Sequence, residues 1–124
     1  MSTPRTRDDW QAMADGLVLR TQAFIDGRHV DAADGASFDC VSPIDGRVLG
    51  QVARCRQVDV DRAVRAARRS FEAGGWSQAR PVARKKTLQR LVALIERHAD
   101  ELALLESLDM GKPIDDAVNV DLAA

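Results

Sequence analysis

Four side chains in this sequence could act as nucleophiles or soft-metal ligands: Cys40, Cys55, His29 and His98. No pair of them has zinc-ligand spacing, and there is no C-x-x-C pair. Neither cysteine stands beside a histidine with an orienting acid, the setting that activates a thiolate. The paired acids Asp8-Asp9 and Asp115-Asp116 are adjacent in sequence and fall at expected helix starts. The stretch "LLESLDMGKPI", Leu104 to Ile114, offers a Gly-Lys pair at 111 and 112. A phosphate-binding loop of the Walker type needs Gly five residues before that pair and Ser or Thr after it. Glu106 and Pro113 occupy those positions. Gly111 and Pro113 therefore read as a helix stop: a left-handed glycine, then a residue that cannot continue the helix. No G-x-G-x-x-G or G-x-S-x-G occurs. Taken alone, the residues assemble no complete active site.

Charge narrows the partners. The 124 residues carry 18 Lys+Arg against 19 Asp+Glu, a formal net charge of −1. That balance gives no case for nucleic acid or for an anionic membrane. The basic run Arg84, Lys85, Lys86, Arg90 has no interleaved aromatics and reads as a solvated helix face. No apolar run reaches the length of a transmembrane helix. The start "MSTPRTRDDW" lacks an apolar signal-peptide core, so a cytoplasmic protein is expected.

The elements that must position these residues follow from periodicity. Residues 8–19 read as a short helix capped by Asp8 or Asp9, with Trp10, Met13, Ala14 and Leu17 on one face. From Gln22 the chain reads as short extended runs between turns at Asp26-Gly27, Asp34-Gly35 and Pro43–Gly46, with a strand at Val48–Val52. After Cys55 the period becomes helical. A helix over 58–74 carries Val60, Val64, Ala67 and Phe71 on one stripe and stops at Gly74-Gly75. A second, over 81–98, starts at Pro81 and turns Leu88, Leu91, Val92 and Ile95 inward. A third, over 100–109, is capped by Asp100 and bears Leu102, Leu105 and Leu108; a fourth starts at Asp115 or Asp116 and runs to Ala124. The segment alone is α+β: N-terminal β-hairpins followed by three or four amphipathic helices.

The order of these features resembles a family. "FIDG" opens a hairpin, "SPIDGRVLGQV" follows, then "VDVDRAVRAARRSFEAGGWS", then "RKKTLQRLVALIERHADELALLESLDMGKPI". The succession is similar to the N-terminal part of NAD(P)-dependent aldehyde dehydrogenases, over roughly residues 23 to 124. "LESLDMGKP" is its most specific piece. "DWQ", "GGWS" and "DMGKPI" look most like the branch acting on γ-glutamyl-γ-aminobutyraldehyde. The resemblance implies an α/β parent fold, with residues 1–21 as an N-terminal extension and 22–124 as the first part of a cofactor-binding domain. It implies a homo-oligomeric enzyme that oxidises an aldehyde to a carboxylic acid with NAD or NADP. There a cysteine thiolate attacks the carbonyl, hydride passes to the nicotinamide, and a glutamate-activated water hydrolyses the thioester. Those residues and the cofactor loop match nothing in this chain, so a catalytically incomplete N-terminal segment is expected.

What the resemblance does carry over is a cation site and an entrance residue. Many members hold a monovalent cation, potassium for example, on an Asp carboxylate and two main-chain carbonyls. Carried over, these are Asp109, Cys40 and Val41, a hard oxygen set in which the Cys40 thiol takes no part. The alternative for Asp109 is a carboxylate accepting nearby backbone hydrogen bonds. Asp121 resembles an acid near the substrate entrance, where it would attract a cationic aminoaldehyde; the alternative is a solvated or capping acid. Lys112 reads as an ordinary charge near a helix C-terminus. The competing functional reading is a free-standing, non-catalytic module that binds through the Arg84–Arg90 face or pairs with a related chain.

Overall fold

The computed structural model describes residues 5–122. It opens with helix α1, Arg7–Asp15. The cap is Thr6, not Asp8 or Asp9: the Thr6 hydroxyl accepts from the Asp9 N–H (3.2 Å), and the Asp9 carboxylate accepts from the Thr6 N–H (2.8 Å). Each side chain satisfies an amide that the first helical turn leaves without a partner. These bonds hold the Asp9 carboxyl below the ordinary aspartate range, the Thr6 amide contributing most. Gly16 ends the helix four residues earlier than the apolar pattern suggests. Arg5 pairs with Asp100 and lies 5.5 Å from the Trp10 ring centre, which ties this extension to the third long helix.

Two separate antiparallel pairs follow. Strands β1 (Ala23–Ile25) and β2 (Arg28–Val30) join through Asp26 and Gly27, both at positive φ, as a two-residue hairpin turn requires. Strands β3 (Ser37–Val41) and β4 (Val48–Ala53) join through the Ser42–Arg47 turn, closed by Ser42 N–H to Arg47 O (2.8 Å) and Gly46 N–H to Ser42 O (2.9 Å). The expected strands and turns of 22–53 are all present.

Helices α2 (Gln57–Glu72), α3 (Pro81–Arg97) and α4 (Ala99–Met110) come next. Pro81 stands at the start of α3, where a missing N–H costs nothing. Only His98 separates α3 from α4, so Asp100 sits in the first turn of α4 and does not cap it. The last helix starts at Ile114, not at Asp115 or Asp116. It runs as one turn, α5 (Ile114–Asp116), and then widens into a π-helical turn, Ala117–Asp121. Its expected end at Ala124 lies outside the described residues.

The helix faces depart most from expectation. Ala66 and Asp59 are the buried residues of α2, and Ala66 lies on the side toward the β1 hairpin. The stripe of Val60, Val64 and Phe71 faces outward, Phe71 at 63% exposure. In α3 nothing is buried: Leu88, Leu91, Val92 and Ile95, expected inward, are all exposed, Leu91 at 50%. In α4, Ala103 and Leu104 are buried while Leu102 is at the surface. The buried apolar set among the described residues is small: Ile25, Ala32, Ala66, Ala103, Leu104 and Ala117. The stripes have the right period for burial, but these residues supply no layer for them to pack against.

Candidate functional site

The segment that ends α4 meets the turn between β3 and β4. Gly111 is left-handed (φ 71°, ψ 15°), and its N–H donates to Ser107 O (2.9 Å). A Cβ built there would lie 3.0 Å from Pro43 Cγ, so backbone conformation and close packing both call for glycine. The Ser107 hydroxyl donates to the Lys112 carbonyl (2.7 Å), which fixes the exit of the chain. "GKP" is thus a helix stop seated against "SP".

This docking brings Asp109 to β3. The Cys40 thiol donates to Asp109 Oδ1 in a long contact of 3.8 Å. At the same place the strand register breaks: Cys40 faces Gly50, Val41 faces Val48, and Leu49 is the extra residue. A bulge locally disrupts the ladder and re-aims the backbone around it. Asp109, Cys40, Leu49, Leu105 and Glu106 border an open groove of about 530 Å³, which the Leu17–Gln22 segment also lines. Of the expected cation ligands, the structure joins the Asp109 carboxylate to the residue that carries one of the two carbonyls. The contact to Asp109 here is made by the Cys40 thiol; a carboxylate with main-chain oxygens is the set a hard monovalent cation requires. Among the described residues no three His, Cys, Asp or Glu side chains converge on one point.

Asp121 lies elsewhere, on the π-helical turn, where its Oδ2 accepts from Lys112 Nζ at 2.5 Å. The Asp121 carboxylate holds the Lys112 ammonium above the ordinary lysine range. Sequence reading assigned Lys112 to the helix terminus and missed this pair, which forms only because the π turn folds back toward α4. The histidines are far from a shared site: His29 Nε2 is 3.2 Å from Arg20 Nη1, and His98 Nδ1 is 3.1 Å from Glu101. Cys55 is exposed.

One important residue escaped the sequence reading. Asp59 is 1% exposed. Its Oδ1 accepts from the Ala33 N–H and its Oδ2 from the Arg56 N–H, both at 3.1 Å. It therefore starts α2 and ties that helix to the loop before β3. Arg56 reaches back to Asp34 (3.0 Å), whose carboxyl is held low mainly by the Ala36 amide and then by Arg56. The available signal was an acid at the third position of a helix, a place that favours reciprocal capping.

Residues 29–124 match the model of the aldehyde dehydrogenase family. The chain belongs to the aldehyde dehydrogenase family. Its relatives include an aminoacetaldehyde dehydrogenase of Pseudomonas aeruginosa, 46% identical over 94% of this chain and 24% of that protein. Among solved structures, a γ-glutamyl-γ-aminobutyraldehyde dehydrogenase of Burkholderia cenocepacia superposes with a TM-score of 0.91 at 55% identity, over 94% of this chain and 24% of that one. The AldA indole-3-acetaldehyde dehydrogenase of P. syringae, in complex with NAD+ and IAA, gives a TM-score of 0.94 at 49% identity, over 97% and 24%. This aldehyde dehydrogenase chain spans about a quarter of the length of the relatives it matches. No helix among its described residues is long and apolar enough to cross a membrane.

Proposed function

We propose that this chain forms the N-terminal part of a cytoplasmic, homo-oligomeric aldehyde dehydrogenase that oxidises an aminoaldehyde to the carboxylic acid with NAD(P)+. The observation that carries the reading is 55% identity and a TM-score of 0.91 to a γ-glutamyl-γ-aminobutyraldehyde dehydrogenase over nearly the whole chain but 24% of that enzyme. The bound nicotinamide cofactor accepts the hydride; the segment's own task is to support the domain that holds it. No residue of the segment is assigned to the chemical steps. The Cys40 hydrogen is directed at a carboxylate, and Cys55 is exposed away from the Asp109 groove. The purified chain, given NAD+ or NADP+ and an aminoaldehyde, is accordingly expected to form no reduced cofactor. Turnover that disappears in Cys40→Ala or Cys55→Ala would place the nucleophile within this segment and overturn the reading.

Asp109, with the carbonyls of Cys40 and Val41, is proposed to hold a monovalent cation such as potassium. Support comes from the carboxylate beside Cys40 and from the register break between the two carbonyl-bearing residues. The cation would brace the α4 terminus against β3 and so act on stability. Thermal unfolding in potassium chloride against choline chloride at equal ionic strength is expected to show a potassium-dependent rise that Asp109→Ala abolishes. The same rise in both proteins would remove Asp109 from the site. Asp121 is proposed to stand at the substrate entrance. Its pairing with Lys112 means that it would draw a cationic aminoaldehyde as half of an ion pair, more weakly than a lone carboxylate would.

A further inference from the structure

Away from the Asp109 groove, the β1–β2 hairpin and α2 border an open cavity of about 340 Å³. Four arginines line it: Arg28 from β2, and Arg62, Arg65 and Arg69 from α2. The spacing of the three helical arginines puts them on one face, and the hairpin brings the fourth across from them. Ile25, which is buried, and Val30 complete an apolar floor.

The countercharge is insufficient. Asp26 accepts from Arg69 at 3.2 Å. Asp59 lies 3.8 Å from Arg62, but its two oxygens already accept from the Ala33 and Arg56 amides. Arg28 and Arg65 have no carboxylate within 4 Å among the described residues. Like charges gathered in a concave patch repel one another and raise the local concentration of anions. Guanidinium groups hold phosphate oxygens in pairs with directed hydrogen bonds. The cavity lies within the ~300–1,000 Å³ range of small-molecule sites.

We propose that this cavity is an anion site for the phosphate or diphosphate group of a small molecule, gripped between Arg28 and Arg65 with Arg62 beside them. It is independent of the aldehyde reading, since it uses none of the residues assigned above. Asp26 is the one exposed carboxylate in the lining and opposes the anion, while Arg69 partly neutralises it.

The test is equilibrium dialysis of the full chain against radiolabelled inorganic pyrophosphate at fixed ionic strength. Saturable binding is expected, at least about tenfold weaker in Arg65→Glu and clearly weaker in Arg28→Gln, both exposed positions whose change leaves the buried set intact. Asp26→Asn should bind more tightly than wild type. Lys85→Glu, on α3 and outside the cavity, should bind like wild type. Absence of saturable binding, or equal binding in wild type and Arg65→Glu, would overturn the proposal. So would a loss of binding in Lys85→Glu as large as that in Arg65→Glu, which would assign the anion affinity to the chain's general basic surface.

Discussion

Sedimentation of the purified chain is expected to show self-association, and a double substitution on α3, Leu88→Glu with Leu91→Glu, is expected to reduce it sharply. Leu88, Leu91, Val92 and Ile95 lie exposed along one helix, and Val60, Val64 and Phe71 along another. Burying a large aliphatic or aromatic side chain contributes ~1.5–3 kcal/mol, so even half-burial of this set on a partner amounts to several kcal/mol. The stability of a whole small domain is ~5–15 kcal/mol. Exposed apolar stripes of that worth find a partner or aggregate. In the relatives, roughly three-quarters of each chain lies beyond the part matched here and is available to cover such faces. A monodisperse monomer with a sharp cooperative thermal transition would show that the described residues need no further layer. It would favour the free-standing module.

Asp59→Ala should cost the chain about 3 kcal/mol, because hydrogen bonds to a charged group contribute ~1.5–3 kcal/mol each and two are lost together. Two amides lose their acceptor together, Ala33 and Arg56, and with them the link between α2 and the loop before β3. Asp59→Asn retains one acceptor oxygen and should recover part of the loss. Urea unfolding of wild type and variants at one protein concentration gives the difference, since association adds to apparent stability. A change within ~0.5 kcal/mol, the usual range of a surface substitution, would mean that the carboxylate does not anchor α2.

The turns were legible because their chemistry is local. Asp26-Gly27, Gly46, Gly74 and Gly111 all adopt the positive φ that their places in the pattern require. Asp109 and Cys40, paired by the resemblance as cation ligands, meet across 69 positions through the Cys40 thiol, a long-range contact that local pattern does not specify. What periodicity could not supply was the identity of the covering layer. A 3.6-residue stripe on α3 states that a face wants burial, not that this stretch of chain buries it. On α2 the hairpin packs on the alanine side at Ala66, and the larger Val60, Val64 and Phe71 stripe is left outside. Asp59 was missed for a related reason: one of its two donors, Ala33, is 26 residues away. Lys112–Asp121 depends on a π turn, and nothing in "AVNVD" announces that widening.

If this segment performs the N-terminal role in an aldehyde-oxidising enzyme, as proposed, it should work in place of the matching stretch of a relative. The most direct measurement is a transplant into the γ-glutamyl-γ-aminobutyraldehyde dehydrogenase of B. cenocepacia, whose structure superposes over 94% of the chain. Residues 23–124 replace the matching stretch of that enzyme, and aldehyde-dependent formation of NADH is followed. The proposed N-terminal role predicts kcat/KM within about tenfold of the parent enzyme, a barrier change of no more than ~1.4 kcal/mol. A chimera that is soluble and unfolds cooperatively, yet reduces no cofactor in the presence of aldehyde, would contradict it.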